Sequence, residues 1–433
     1  MKILFVACYS PLINNSASIE TLQYLNNLAK EPGNEIHLLT VDFPKNSIYY
    51  DEYIKGMLDE RVHTHIISGG KIFEKIMPKK RAVSAGGEEG NSTVKSSNMR
   101  NVLRSIKNVI AIPDMYLHWA NKAAKYGIDL MKSEKFDVIF SMHEPPSSHI
   151  CAMKIKKQFK DVPWVTYWSD PWLKDSTREN INGLRRSIES SLEKQVVNLS
   201  DRFIFVTKAN RDDYIATYGI DKDKTFIVTR GYDELAYQEI KETVQAEKIN
   251  KSKVNFIYAG EIFSKLRNVN PFVEAVKEIQ QENIEIYNKL SILFFGNIDD
   301  VSMENNLKSL DNAEVSPRIP YNKALSYMLN GDVLLIFGNK NSKQIPAKIY
   351  DYFGADGRIF VILGDENDPI QDVVTNKEKC IVVNNNTPEI KAGIYKLIDS
   401  LEQGVCYGPI EDYKWERISK RLNDILKGYE SCM

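Results

Sequence analysis

Short runs of apolar, β-branched and aromatic residues recur along the chain, and between them apolar positions return every three or four residues. The runs predict strands with no solvated face, and the intervening stretches predict amphipathic helices. In the first half the runs are Ile3–Cys8, Ile36–Val41, Val62–Ile67, Asp137–Ser141, Trp164–Trp168 and Arg202–Thr207. In the second half they are Val254–Ala259, Ser291–Phe295, Asp332–Phe337, Ile359–Leu363 and Cys380–Val383. Strands alternating with helices in this way predict parallel sheets covered by helices on both faces. The series runs twice, so the expectation is two α/β domains.

Between the two series lies Glu234–Lys253, rich in Lys and Glu and poor in apolar residues, which predicts a linker. The expected domains are residues 1–235 and 254–412. A last segment, 413–433, carries Trp415, Ile418, Leu422 and Leu426 at helical spacing and is expected to return to the first domain. A length of 433 residues with 43% apolar content fits two domains and rules out a small binding module. One stretch breaks the rhythm: Lys71–Lys107 holds nine Lys or Arg against three Glu, with Ser84–Ser92 reading as a mobile loop. It reads either as a solvated insertion or as a basic, partly apolar surface (Ile72, Phe73, Ile76, Met77, Val102, Leu103, Ile106) for anionic lipid or an anionic lipid-linked acceptor.

Charge narrows the field. The 57 basic and 58 acidic residues nearly cancel, which excludes the whole-molecule positive field of a dedicated nucleic-acid binder. Cys8, Cys151, Cys380, Cys406 and Cys432 have no CxxC spacing, so neither a disulfide framework nor a cysteine zinc site is expected. The opening Met1–Cys8 reaches polar residues too soon for a signal peptide, and no apolar run has the length of a membrane span. The reading is a cytoplasmic protein, either free in the cytosol or peripheral at the inner membrane face.

Open parallel sheets bind ligands beyond the carboxyl ends of their strands, so the residues just after each run are the candidates. The first run is followed by Tyr9–Ala17, whose small residues, Ser16 among them, let a ligand approach a helix start. After the fourth come His143 and Glu144, held at a strand end by Pro145 and Pro146 and able to act as catalytic acid or base. The fifth ends in Trp168-Ser169-Asp170-Pro171-Trp172, a carboxylate between two indoles that either stack on a sugar face or close the core. In the second half, Gly260 permits close backbone approach while Lys265 and Arg267 neutralise a diphosphate. Further on, Pro346 opens a predicted helix on which Lys348 and Asp351 share a face, suiting a phosphate next to a ribose.

Taken in order, these segments resemble the group-1, family 4 glycosyltransferases, especially the branch of bacterial capsule and lipopolysaccharide assembly. The resemblance spans nearly the whole chain. It is carried by Ile112-Pro113-Asp114 with Trp119, by Phe136–Ile139 running into Pro145–Ser148, and by Ser169–Trp172. Thr229–Asp233, Tyr258-Ala259-Gly260 with Arg267-Asn268, and Pro346–Tyr352 continue it. It implies a GT-B fold, two facing Rossmann-like domains with parallel sheets and an interdomain cleft, and transfer from a nucleotide diphosphate sugar with retained anomeric configuration. The implied donor residues are Gly260, Lys265, Arg267, Pro320, Tyr321, Pro346, Lys348 and Asp351, with Ile319-Pro320-Tyr321 bracketing the base. The implied catalytic residues are His143, Glu144 and Asp170, and the acceptor residues Ser16, Trp168 and Trp172. No metal or other cofactor is expected, because basic side chains and a helix dipole can stabilise the leaving diphosphate.

The chain departs from the family pattern at Lys343, where the first Glu of a Glu-x7-Glu pair would fall, at Ser169, where the branch often has Arg, and at Asn14–Ala17, in place of a glycine-rich loop. Two other readings follow: a nucleotide-sugar epimerase, and a degenerate relative acting as a scaffold in glycan assembly.

Overall fold

The computed structural model describes residues 1–47, 49–79, 112–175, 178 and 181–429, which leaves 80–107 of the basic insertion outside the described residues. The chain divides into two compact units, one of Met1–Val206, Asn210–Val228 and Ser419–Met433, the other of Thr207–Ala209 and Thr229–Ile418.

The first unit is built on β1 (Lys2–Val6), β2 (Glu35–Asp42), β3 (Val62–Ser68), β4 (Val138–Met142), β5 (Trp164–Trp168), β6 (Arg202–Phe205) and β7 (Thr225–Ile227). Their order in the sheet is β3-β2-β1-β4-β5-β6-β7, every neighbouring pair parallel. All positions of β4 and β5 are buried, the signature of strands covered on both faces. Helices Ser16–Lys30, Leu117–Ser133, Ser147–Gln158 and Gly183–Leu199 pack over the sheet. Small residues set how closely they lie: a Cβ on Gly127 would sit 2.7 Å from Ile155 and 3.3 Å from Leu39.

The second unit repeats the plan with β8 (Val254–Ala259), β9 (Leu290–Phe295), β10 (Ala313–Ser316), β11 (Val333–Phe337), β12 (Arg358–Ile362) and β13 (Cys380–Val383). The order is β10-β9-β8-β11-β12-β13, again all parallel. Both sheets are therefore doubly wound, and strand order reverses direction between β1 and β4 in one and between β8 and β11 in the other.

Several expectations need correction. The expected linker is not extended: Glu234–Thr243 is a helix capped by Asp233, whose side chain accepts from the Ala236 N–H. Its Tyr237 is buried in the second unit, and the division falls at Val228 and Thr229 rather than at 235. A polar sequence forms a helix here because one buried aromatic and a good cap suffice to dock it. The final helix, Trp415–Lys427, buries Ile418, Leu422, Ile425 and Leu426, and within the first unit Arg202 donates to the Ile425 carbonyl at 2.9 Å. Phe73 and Met77, expected on a lipid-facing surface, are core: Phe73 packs against Phe43 and Tyr116 at 5.6 and 5.3 Å. Among the described residues no helix is long and apolar enough to cross a membrane.

Candidate functional site

Ser16, His143 and Glu144 in the first unit and Gly260, Lys265, Arg267, Pro346, Lys348 and Asp351 in the second follow the strands flanking the reversal point, where such sheets open a crevice, whereas Asp170 follows β5 and Pro320 and Tyr321 follow β10.

In the first unit the loops after β1 and β4 are tied together, the Cys8 N–H donating to Ser148 Oγ at 2.9 Å. Asp114 anchors the second loop from beneath. Its carboxylate accepts from the Ser147 N–H at 2.9 Å, the Ser147 hydroxyl at 2.6 Å and the Tyr116 N–H at 2.8 Å. Burial pushes this carboxyl above its ordinary range, and the Ser147 hydroxyl and the two N–H donors hold it down only in part.

Held this way, His143 lies flat on Trp168, ring centroids 5.5 Å apart at 21°, with its N–H donating to the Tyr167 carbonyl at 2.7 Å. Neither imidazole nitrogen has a hydrogen-bond partner among the described residues, although the side chain is buried. A buried, unpartnered polar side chain at a strand end is a group awaiting a ligand. Burial lowers its pKa to about 3, with Asp170 pulling it up and Arg178 pushing it down. His143 is therefore neutral at pH 7 and serves as hydrogen-bond donor and acceptor rather than as a charged acid. Glu144 follows with φ 76°, a conformation uncommon outside glycine. Asp170 is partly exposed, and beside it the Ser169 hydroxyl is buried without a partner among the described residues. Ser16 is exposed at the start of its helix, next to the capping Asn15.

The two indoles do not meet the expectation placed on them. Trp168 and Trp172 are both 0% exposed. The Trp168 ring N–H donates to Thr166 at 2.9 Å, and that of Trp172 to Glu189 at 2.8 Å. Glu189 is itself buried and held by Arg178 and Arg185. These rings are core and form the floor under His143, not a platform for a sugar.

In the second unit Gly260 closes β8, its N–H donating to the Phe295 carbonyl at 2.9 Å. A Cβ there would meet nothing closer than Tyr258 at 3.4 Å, so the packing of the protein does not itself demand glycine. Arg267 turns back onto the loop: Nη1 donates to the Glu261 carbonyl at 2.6 Å and Nε to Asn339 Oδ1 at 3.0 Å. Asn339, after β11, also donates to the Gln344 carbonyl at 3.1 Å, and the Lys340 N–H reaches the Leu266 carbonyl at 2.9 Å. The guanidinium is thereby fixed, and Nη2 makes no hydrogen bond to a described residue. Lys265 is exposed on the same loop.

Lys348 and Asp351 pair at 3.2 Å, as their spacing predicts, and the Lys348 ammonium lies 5.7 Å from the centre of the Tyr321 ring. Tyr237 donates to the Asp351 carbonyl at 3.1 Å. The buried Tyr352 hydroxyl feels the charges of both Asp351 and Arg267, so the two loops converge. Pro320 precedes the helix Tyr321–Asn330, whose first residue is 43% exposed. One expectation is corrected: the helix after Pro346 is only Lys348–Phe353, and the Ile349 and Tyr350 N–H groups already bond to the Pro346 and Ala347 carbonyls at 3.1 Å. So short a helix with its first amides engaged offers an anion little dipole, which leaves the charge to Lys348 and Arg267.

Asn339 was not among the sequence candidates, and Asp114 entered only as part of the Ile112-Pro113-Asp114 resemblance with no role assigned. Asn339 is a single polar residue after an apolar run with no spacing to distinguish it, and only its bonding reveals it.

Residues 84–234 match the model of Glycosyltransferase Family 4. No curated protein matches the chain. Among solved structures, sucrose-phosphate synthase from Thermosynechococcus elongatus aligns at TM-score 0.58 and 11% identity, over 99% of this chain and 98% of that one. A glycosyltransferase from Rickettsia africae aligns at TM-score 0.53 and 12% identity, over 99% and 98%. UDP-GlcNAc 2-epimerase from Neisseria meningitidis, bound to UDP-GlcNAc, aligns at TM-score 0.55 and 11% identity, over 99% and 100%. Identities this low speak to the fold, which is GT-B. The sequence match is a likeness to Glycosyltransferase Family 4 over residues 84–234.

Proposed function

We propose that this GT-B chain is a family 4-like glycosyltransferase that moves a sugar from a nucleotide diphosphate donor, bound by the second unit, onto a glycan or lipid-linked acceptor in surface polysaccharide assembly, with retention of configuration. The observation that carries the donor assignment is the cross-linked pair of loops after β8 and β11, in which Asn339 aims a fixed Arg267 guanidinium beside Gly260.

In this reading Gly260 admits the diphosphate, and Arg267, Lys348 and the mobile ammonium of Lys265 offset the charge that grows on it as the glycosidic bond breaks. Asp351 accepts from the ribose hydroxyls, and Pro320 and Tyr321 border the base. Pro346 starts the turn that presents Lys348. In the first unit the neutral His143 orients a hydroxyl of the sugar or acceptor, while Glu144 and Asp170 take up the proton released on transfer. Ser16 belongs to the acceptor side.

Thermal-shift screening against UDP-, GDP-, ADP- and TDP-sugars tests the assignment. A donor at 100 times its dissociation constant should raise stability by about 2.7 kcal/mol. Release of nucleoside diphosphate from the donor that binds, followed by determination of the product anomer, tests transfer and retention. No shift with any donor supports the scaffold instead, and isomerisation of the sugar without nucleotide release supports an epimerase, a reaction named for one structural neighbour.

A further inference from the structure

At the amino ends of the first sheet, opposite the loops described above, three of the six histidines of the chain gather on one face. The register sets His37 of β2 beside His63 of β3 and Leu39 beside His65, so the alternation of side chains puts Glu35, His37, His63 and His65 on the same side. The His37 ring lies 4.7 Å from that of His63 and 5.2 Å from that of His65, centroid to centroid. Glu35 Oε1 is 2.9 Å from His37 Nε2, and one donor atom from each of Glu35, His37 and His63 lies within 4.8 Å of the others.

We propose that Glu35, His37 and His63 form a binding site for a late first-row divalent ion of the Zn2+ type. Two imidazoles and a carboxylate are the ligands such borderline ions prefer, and three protein ligands leave a position for water. A small rotation of the exposed Glu35 and His63 side chains around the buried His37 closes the set to coordination distance. The outer contacts are also in place. His37 Nδ1 is 3.0 Å from His65 Nε2, and His65 Nδ1 is 2.8 Å from the Tyr126 hydroxyl. Such a chain orients a metal-bound imidazole through its second nitrogen. With neutral rings and no metal, His37 Nε2–H donates to Glu35, His65 Nε2–H to His37 and the Tyr126 hydroxyl to His65. Binding through His37 Nε2 reverses the chain with no net loss of a proton: the Nε2 proton leaves to solvent, His65 passes its Nε2 proton to His37 Nδ1, Tyr126 passes its hydroxyl proton to His65 Nδ1, and the exposed Tyr126 oxygen regains one from water. His37 Nδ1–H then donates to His65 and His65 Nδ1–H to Tyr126. The one competitor is the Lys2 ammonium, 2.8 Å from Glu35 Oε1, which keeps Glu134 as a partner at 2.5 Å when an ion displaces it. The ion would clamp β2 to the edge strand β3.

The test uses the full chain without an affinity tag, stripped with a chelator and titrated with Zn2+ by calorimetry and with Co2+ by visible absorption. The expected result is one saturable equivalent per chain with cobalt bands of imidazole coordination. His63→Gln should weaken binding by at least about tenfold with an unchanged circular dichroism spectrum, whereas His118→Gln should bind as the parent does. If His63→Gln does not fold, the exposed Glu35→Gln gives the same reading. No saturable binding, or equal affinity in parent and ligand variant, overturns the site.

Discussion

Arg267 and Asn339 meet across two loops, Nε donating to the carboxamide oxygen at 3.0 Å, and Asn339 spends its own N–H2 on the Gln344 carbonyl. One side chain thus sets the direction of a guanidinium that follows a different strand. Arg267→Ala should abolish the donor-induced thermal shift. Asn339→Ala keeps the positive charge but loses its aim, so the shift should shrink and the fold should lose about 1–3 kcal/mol, read by denaturant unfolding. A full donor shift in Arg267→Ala defeats the assignment.

The proposed division of labour sets Glu144 apart from donor binding. Glu144→Ala should leave the donor shift intact and lower turnover by about 100-fold, measured as nucleoside diphosphate release. Equal loss of donor binding in this variant and in Arg267→Ala would remove the division of labour between the two units.

Acid should find His143. Its pKa is about 3 in the folded chain against an ordinary value of 6.5, so between those values the unfolded chain binds the extra proton. Stability therefore falls as pH drops through that window, by up to about 1.4 kcal/mol per pH unit from this group, and is fully present above it. His143→Gln should flatten the slope measured by chemical unfolding between pH 6.5 and 4, with part of the remainder coming from His149 and His65, whose pKa values burial also lowers, and from Glu35, held low by His37 and Lys2. A slope unchanged in the variant would show that His143 is protonated in the native state.

Asp114 holds two donors of Ser147, just after the loop that carries His143, and the Tyr116 N–H. Asp114→Ala leaves the Ser147 and Tyr116 N–H groups unmatched and should cost about 1–3 kcal/mol or more. Donor binding should survive if the donor sits in the second unit as proposed. Calorimetry of donor binding together with denaturant unfolding separates the two effects.

Much of the architecture was legible because a strand buried on both faces reads as an unbroken apolar run. Trp164–Trp168 and Val254–Ala259 have the bounds their residues predict, and so does the edge strand Cys380–Val383, whose run of apolar residues is only part buried. The edge strands Thr225–Ile227 and Ala313–Ser316 escaped notice, being three or four residues long and only part buried. The helix Glu234–Thr243 hid because its docking rests on one tyrosine. Motif position singled out Gly260, Arg267, Lys348 and His143 as candidates, but composition could not tell a stacking indole from a core one: the Trp168 ring N–H is held by Thr166 and that of Trp172 by Glu189 on a later helix. Asn339 has the same limit, since a lone asparagine becomes informative only through what it bridges.

Gly260 offers a ruler. The chain around it would accept a methyl group, its backbone is not in the left-handed region, and the nearest obstacle is 3.4 Å away. Enlarging it stepwise to alanine, serine and valine should leave the melting curve of the empty protein nearly still, so any graded loss of affinity would measure, a fraction of an ångström at a time, how tightly a bound molecule presses on that stretch of backbone.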